Sequence, residues 1–212
     1  MKNKNDPILE SIILELRTKY NCHTIILYGS RAHGFISPTS DYDVIGINRR
    51  GKKTRIAKKQ LGLYWDVIVY PERDLVKLGE QQLGWVKAKI IYQKNEYGKE
   101  LLRRLKIFLQ KPHKPQPQYE IDILKIWAQK ELDRCKIKDI QGLYRRAEFH
   151  NALIEHYFII RKKRFSGSKA GFIWLEKNDP STFKLIHRSL KFPMNISFLK
   201  LAASSVYKVI IH

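Results

Sequence analysis

The fold is decided by residues 27–47, which read LYGSRAHGFISPTSDYDVIGI. The β-branched and aromatic side chains of residues 23–28 predict a buried strand that leads into this stretch. Residues 43–47, DVIGI, predict a second buried strand. Between the two lie a Gly-Ser step, a basic segment and two aspartates one residue apart. Two like charges therefore stand where a strand begins to be buried, which is unfavourable unless something binds both of them.

The paired aspartates, Asp41 and Asp43, point to one face of an extended strand, because side chains two residues apart share a face. Two adjacent carboxylates repel, whereas a divalent cation between them turns repulsion into coordination. Hard oxygen ligands favour Mg²⁺, with Mn²⁺ as an alternative, over zinc. Asp66 is a lone charge in the apolar run LYWDVIVY and becomes a third ligand if the two strands are neighbours. The pattern predicts a metal site at Asp41, Asp43 and Asp66.

The Gly29-Ser30 step predicts a phosphate site beside that metal site. A strand that ends in Gly-Ser and enters a short helix presents backbone N–H groups and a hydroxyl, and Gly lets a phosphate approach closely. Arg31 adds positive charge next to it. A phosphate site close to carboxylate-held metal is suited to in-line attack on the α-phosphate of a nucleoside triphosphate, with pyrophosphate leaving.

The remaining pattern predicts two domains. Residues 112–117 lie in the proline-rich run KPHKPQPQ, which favours an extended linker. Before the linker, residues 1–111 predict an α/β domain in which helices flank a small mixed β-sheet. After it, residues 118–212 predict an all-α helical bundle. The supporting segments are helices at 8–20 and 96–110, strands at 54–60, 63–70 and 88–92, and helical stretches at 119–136, 140–164, 172–176 leading into 180–190, and 195–211.

Composition indicates a globular cytoplasmic protein. The chain has 212 residues, 43% of them hydrophobic, which is ample for a packed core. No apolar stretch approaches the roughly 20 residues of a membrane span, and the N-terminus lacks the apolar core of a secretory signal. Cys22 and Cys135 are far apart and have no neighbouring Cys or His ligands, so neither a zinc site nor a disulfide framework is indicated.

The formal net charge of +21 indicates polyanionic partners, such as nucleic acid, nucleotides or an acidic protein. The excess is spread along the chain, with 21 basic against 11 acidic residues over 1–110 and 20 against 9 over 111–212. An even spread favours a generally solvated basic surface over a dedicated nucleic-acid interface.

The chemical motifs together resemble those of the DNA polymerase β-type nucleotidyltransferase superfamily. That family carries an apolar residue followed by Gly-Ser and a short helix, then two acidic residues one apart, then a third carboxylate downstream. The resemblance covers about the first 110 residues and is greatest to the minimal nucleotidyltransferases and to enzymes resembling kanamycin nucleotidyltransferase, which also join a catalytic domain to a helical bundle. The matching segments are Gly29-Ser30-Arg31-Ala32 through Gly34, Ser40-Asp41-Tyr42-Asp43, and Asp66.

The resemblance implies a role for each matching residue. Asp41 and Asp43 would bind two Mg²⁺ ions, and Asp66 would hold the catalytic one. Gly29 and Ser30 would bind the triphosphate of ATP or another nucleoside triphosphate. Further candidates for nucleotide contact are Arg31 and Ser40.

A general base is sought in the helical domain, because enzymes resembling kanamycin nucleotidyltransferase use a glutamate there to deprotonate the acceptor hydroxyl. Glu148 and Glu155 lie seven residues apart and share nearly one helix face, so either is a candidate. The competing interpretation makes both of them solvent-facing partners of Arg145, Arg146 or Lys162.

The function that the resemblance implies is metal-dependent transfer of a nucleoside monophosphate, AMP from ATP, to an acceptor hydroxyl. The active site would lie in a cleft between the two domains, and a small molecule such as an aminoglycoside is the first acceptor to consider. Aminoglycosides are cationic, however, and suit a +21 protein poorly unless the cleft is acidic. The alternatives are transfer to a protein hydroxyl or to the 3′ end of an RNA, and a non-catalytic antitoxin-like binding protein.

Overall fold

The computed structural model describes residues 6–34 and 37–208. The chain divides into two compact units, Met1–Pro112 and His113–His212, and the division falls inside the proline-rich run. Each unit has its own hydrophobic core. Of the helices in the described ranges, none combines the length and the apolar character that a membrane span requires.

The first unit is built around a mixed five-stranded sheet with strand order β3-β4-β2-β1-β5. The β2 and β4 strands pair in parallel, and the other neighbours are antiparallel. This confirms the predicted α/β class with a mixed sheet and flanking helices. The elements in chain order are α1 (Pro7–Thr18), β1 (Thr24–Tyr28), α2 (Gly29–His33), β2 (Tyr42–Asn48), β3 (Thr54–Gln60), β4 (Leu63–Pro71), β5 (Lys89–Gln93) and α3 (Tyr97–Gln110), with 3-10 turns at Glu72–Leu75 and Glu80–Trp85.

The two faces of the sheet are covered by different helices, because alternate residues of a strand point to opposite sides. Helix α1 begins at Pro7, where the Asp6 carboxylate accepts hydrogen bonds from the N–H groups of the first turn. Its apolar stripe packs on one face, against Val44 and Val67 of the central strands. On the other face, α3 and the second 3-10 turn cover Ile45 and its neighbours. Both faces of the central strands are therefore buried.

The predicted hairpin at residues 54–70 is present, with β3 pairing antiparallel to β4. Leu61 and Gly62 connect the strands, and both have positive φ, +50° and +81°. Two such residues in a two-residue connection form the type I′ turn that matches the twist of antiparallel strands. The hairpin places β3 at an edge of the sheet, beside β4.

The second unit is helical, and its core contains a stack of the Phe149 and Tyr207 rings, with centroids 5.9 Å apart and planes 4° apart. Leu153 and Leu199 are fully buried in the same core. The predicted all-α region is thus confirmed. Its helices are α4 (Gln118–Cys135), α5 (Ile140–Ile160), α6 (Ser168–Asn178), α7 (Pro180–Lys191) and α8 (Ile196–Tyr207).

Three predicted helix boundaries are wrong. The helix expected to run to Arg164 ends at Ile160, because Lys162 has a left-handed backbone with φ +53°. The helical stretch expected from Phe172 begins at Ser168, directly after Gly167 at φ +89°. The last helix ends at Tyr207, with Lys208 at φ +53° as its C-cap, and residues 209–211 of that prediction lie outside the described residues. In each case backbone conformation, not hydrophobic periodicity, sets the end.

Candidate functional site

One row of residues crosses four strands of the sheet. Tyr28 of β1 pairs with Asp43 of β2, Asp43 pairs with Asp66 of β4, and Asp66 pairs with Ala57 of β3. Neighbouring strands lie about 4.8 Å apart and paired residues point to the same face, so the two carboxylates and the phenol project side by side. Farther along the strands, α3 covers the same face of the sheet. Asp66 was expected to join Asp43 if their strands were neighbours. The β2 and β4 strands are indeed neighbours.

Gly29 lies directly against the Asp43 side chain. Its φ is +68°, a conformation that L side chains rarely adopt. A Cβ added there would lie 2.8 Å from the Asp43 Cγ and closer still to its Oδ2. Only glycine therefore allows the backbone at the start of α2 to touch the carboxylate.

Asp66 forms a bidentate ion pair with Arg55 of the edge strand β3. Arg55 Nε donates to Oδ1 at 2.9 Å, and Nη2 donates to Oδ2 at 2.8 Å. Arg55 is paired with Ile68 in the β3–β4 ladder, so its side chain reaches diagonally along the same face to Asp66. Hydrogen bonding to Asp66 raises the pKa of Arg55. The negative charge of Asp66 is thus compensated within the protein.

The three predicted metal ligands are not gathered into one cluster. Asp41 is exposed and precedes β2, while Asp43 and Asp66 lie on adjacent strands. Over residues 6–34 and 37–208, no group of three or more His, Cys, Asp or Glu side chains is placed to hold a metal ion. Carboxylates at Asp41, Asp43 and Asp66 remain the hard oxygen donors that Mg²⁺ requires, and the metal site stays a prediction.

Tyr28 belongs to the site although the sequence pattern did not single it out. Burial raises its pKa to about 12, and the negative charges of Asp43 and Asp66 add to the effect. The phenol therefore stays protonated and can donate a hydrogen bond. Its ring packs against Trp85, with centroids 6.3 Å apart. In the sequence, the feature that could have indicated Tyr28 was its position immediately before Gly29.

Arg31 and Ser40 form hydrogen bonds that hold the segment before Asp41 in place. Arg31 donates from Nε and Nη2 to the Ser40 carbonyl oxygen at 3.1 and 2.8 Å, and its guanidinium lies 3.9 Å from the Tyr42 ring centroid. The Ser40 hydroxyl accepts a hydrogen bond from the Ser37 N–H at 2.8 Å. Both residues hold backbone in place here, and their contact with a nucleotide stays a prediction.

Glu148 lies on α5 of the second unit and faces solvent, with 47% of its side chain exposed. Its Oε2 is 3.9 Å from Arg145 Nη1, and its hydrogen bond with Tyr144 raises the pKa of that phenol. Glu155 is exposed as well. Arg146, by contrast, is buried and donates to the Cys135 carbonyl oxygen at 2.6 Å, so it is not a glutamate partner. The Arg145 pairing agrees with the solvent-facing interpretation, and a role for Glu148 as general base stays a prediction.

Comparison with known proteins gives structural matches only. No family model matches the chain, and no curated protein matches it. Ten solved chains match, among them a nucleotidyltransferase-like protein from Exiguobacterium sibiricum 255-15. That protein is 15% identical in sequence, the match covers 94% of this chain and 74% of that chain, and the TM-score is 0.42. The function therefore has to be derived from the residues of the site.

Proposed function

We propose that the first unit is a metal-dependent nucleotidyltransferase that transfers a nucleoside monophosphate, AMP from ATP, to an acceptor hydroxyl. The observation that carries the proposal is the contact of Gly29 with the Asp43 side chain, in a row that also contains Asp66. A glycine kept free of a Cβ beside a carboxylate leaves the backbone open to a ligand bound by both.

Asp41, Asp43 and Asp66 are the residues that would hold two Mg²⁺ ions. When bound, Mg²⁺ would neutralise the triphosphate and polarise the α-phosphate. All three carboxylates fit the ion in donor type, and Asp43 and Asp66 also share one face of the sheet. Asp66 fits only if it exchanges its ion pair with Arg55 for the metal, which makes Arg55 a competitor for this site.

The chain's own groups would bind and orient the nucleotide. Gly29 and Ser30 would present backbone N–H groups and a hydroxyl to the triphosphate. Once released from Asp66, the Arg55 guanidinium would be free to pair with a phosphate oxygen. The protonated Tyr28 hydroxyl would supply a further hydrogen-bond donor at the same edge. Glu148 would act as the base toward the acceptor hydroxyl.

The acceptor class is proposed as a hydroxyl compound, with a small molecule such as an aminoglycoside tested first. A protein hydroxyl and an RNA 3′ end form the second panel, because the net charge of +21 favours polyanionic partners. Each acceptor leaves a product of distinct mass and mobility. A single labelled donor can therefore be used for all of them.

The test compares Asp43→Asn with Asp74→Asn. The protein is incubated with ATP labelled at the α-phosphate, Mg²⁺ and the acceptor panel, and both pyrophosphate release and acceptor labelling are followed. Asp43→Asn should lower transfer at least about a hundredfold, as expected for loss of a metal-binding carboxylate. Asp74 lies in the same unit, on the first 3-10 turn, so its variant should retain wild-type activity.

Two results would count against the proposal. One is pyrophosphate release that is equal in the wild type and in Asp43→Asn. The other is wild-type protein that neither binds ATP with Mg²⁺ nor labels any acceptor of the panel. Calorimetric titration with a non-hydrolysable ATP analogue distinguishes absent binding from a missing acceptor.

A further inference from the structure

A basic pocket lies at the other end of the sheet from Asp43 and Asp66. Its volume is about 670 Å³, within the usual range for small-molecule sites. His23 precedes β1, whereas Tyr28 ends it, so the pocket and the acidic row are about 17 Å apart along the strand. The residues that line the pocket are Asn21, His23, Asn48, Arg49, Arg50, Lys94 and Asn95.

Topology brings these residues together from three separate loops. Strand β1 pairs antiparallel with both β2 and β5, so the start of β1 meets the ends of the other two. The His23 N–H donates to the Ile47 carbonyl oxygen at 2.9 Å, and the Lys94 N–H donates to the His23 carbonyl oxygen at 2.9 Å. The basic residues at these strand ends therefore face a common space.

Three cationic side chains line this pocket without compensation. In the described part of the chain, Arg49, Arg50 and Lys94 form no side-chain hydrogen bond or ion pair. Burial lowers the pKa of His23, and the charges of Arg49 and Lys94 lower it further, against the opposing effect of Glu72. Glu72 Oε1 lies 2.9 Å from His23 Nε2, and the positive charge of the pocket comes from the arginines and the lysine.

Asn48 lines the wall of the pocket next to the arginines. The residue is buried, with 8% exposure, and its Nδ2 donates to the Tyr20 carbonyl oxygen at 3.1 Å. Its Oδ1 is buried and has no hydrogen-bond partner in the structure as described. Oδ1 is an acceptor that is buried from solvent, so a phosphate oxygen would not pair with it, and the groups that could bind an anion here are the cationic side chains.

Several other basic side chains of the first unit pair with a carboxylate. Arg55 pairs with Asp66, Lys58 pairs with Glu15 at 2.6 Å, and Arg103 pairs with Glu100 at 2.7 Å. Like charges gathered without such partners repel one another and attract anions. The pocket differs from a single unpaired lysine on the surface because three cations line one cavity.

We propose that this pocket is a second anion site, which binds a phosphate-bearing ligand through Arg49, Arg50 and Lys94. Guanidinium groups hold phosphate oxygens in bidentate fashion, and the lysine adds a point charge. The phosphates come either from a free polyphosphate or nucleotide or from the backbone of a single-stranded RNA. The site is separate from the acidic row, and the proposal does not depend on nucleotidyl transfer.

The test uses two probes and two triple variants. Inorganic tripolyphosphate is titrated by calorimetry, and a fluorescein-labelled 12-mer of uridylate by anisotropy at several salt concentrations. The pocket variant is Arg49→Gln, Arg50→Gln and Lys94→Gln. The control, Lys77→Gln, Lys87→Gln and Lys106→Gln, removes the same charge from exposed positions of the same unit outside the pocket. Both titrations contain EDTA and no divalent metal, so that the proposed Mg²⁺-dependent site at the acidic row does not contribute.

The pocket variant should raise the Kd of at least one probe about tenfold or more, against less than about twofold for the control. For the oligonucleotide, the slope of log K against log salt should fall by about 2 units, since single strands contribute roughly 0.7 per phosphate contact. Thermal unfolding of the pocket variant should occur no lower than that of the wild type, because the substitutions remove like-charge repulsion.

The two probes also identify the source of the phosphate. Pocket-dependent binding of tripolyphosphate alone assigns a free polyphosphate or nucleotide, and pocket-dependent binding of the oligonucleotide assigns an RNA backbone. Equal losses in the pocket variant and in the control would overturn the proposal, because they would indicate diffuse surface charge. Undiminished binding by the pocket variant, or no binding of either probe by the wild type, would overturn it as well.

Discussion

At the scale of single residues, Gly29 has the strictest structural requirement in the candidate site. Gly29→Ala should lower the free energy of unfolding by about 2 kcal/mol or more, because it adds left-handed strain to an overlap with the Asp43 carboxylate. The same overlap should abolish nucleotidyl transfer. Urea unfolding and the labelled-ATP assay measure the two effects.

Gly62→Ala is the matched control. Gly62 has a similar φ of +81°, but a Cβ there would meet no atom within 4 Å. Gly62→Ala should lower the free energy of unfolding by the left-handed strain alone, about 1 kcal/mol, and should keep full activity. If both variants lose the same stability and activity, the contact with Asp43 has no special role.

Arg55 is the second residue whose importance depends on its contacts. Replacing it by Gln should release the Asp66 carboxylate and increase the affinity of the first unit for Mn²⁺ about two- to fivefold, as expected for loss of an exposed competing ion pair. Electron paramagnetic resonance of free Mn²⁺ measures the affinity directly.

Arg103→Gln serves as the comparison for Arg55, because Arg103 makes a similar bidentate pair with Glu100 on α3. That variant should leave Mn²⁺ affinity unchanged. An affinity that is the same in Arg55→Gln and the wild type would mean that Asp66 does not take part in metal binding.

At the scale of the elements, Asp179 determines where α7 begins. Burial raises its pKa, but hydrogen bonds from Ser181, Thr182 and Tyr157 outweigh burial and lower the pKa to about 2. Its carboxylate accepts from the Thr182 N–H at 3.1 Å as an N-cap and from the Tyr157 hydroxyl at 2.8 Å. The cap therefore joins α7 to α5.

Asp179→Ala should lower the free energy of unfolding by about 1 to 2 kcal/mol, the usual cost of losing an acidic N-cap. Because the pKa is lowered in the fold, this stabilisation is present above about pH 4 and is lost as the pH falls toward 2. Chemical unfolding at pH 7 measures the loss. Asp122→Ala, an exposed carboxylate on α4, should change the stability by less than about 0.5 kcal/mol; a similar effect of both substitutions would contradict a capping role.

The element boundaries show which features of the secondary structure are determined by the local sequence and which by packing. The strands were predicted to within one or two residues, because period-2 alternation and β-branched runs are properties of the chain itself. The end of α5 at Ile160 was not, because the run RKKR is compatible with a helix and only its packing selects a left-handed backbone at Lys162.

At the scale of the whole molecule, stability should depend on pH through His156 in the core of the second unit. Burial lowers its pKa to about 4. Burial also raises the pKa of Tyr207, so its hydroxyl is the donor to His156 Nδ1 at 2.6 Å, and the imidazole is neutral. Protonation would remove that acceptor and place a charge beside the Trp127 ring, whose centroid is 5.2 Å away.

The folded state binds this proton less readily than the unfolded state, so the associated stability is present above about pH 6.5 and is lost as the pH falls toward 4. The loss should be at most about 3 kcal/mol. Urea unfolding followed by tryptophan fluorescence should show the advantage of the wild type over His156→Gln shrinking across that interval. An advantage that does not change with pH would contradict the assignment.

The distribution of charge also differs between the sequence and the folded chain. Counted along the sequence, the excess of 21 positive charges is divided almost evenly between the two halves. In the fold, Arg49, Arg50 and Lys94 meet at one pocket, because β2 and β5 end beside the start of β1. The clustering of these three side chains depends on strand order, so it cannot be predicted from composition.

The sequence by itself determined the α/β class, the existence of nearly every strand and helix, and the candidate residues Gly29, Asp43 and Asp66, because these follow from local periodicity and from motif spacing. Only the tertiary structure decided that Asp43 and Asp66 share a row, that Arg55 pairs with Asp66, and that three cations line one pocket. The physical reason is that strand order and register depend on burying both faces of the sheet at once, and that requirement joins residues far apart in the chain.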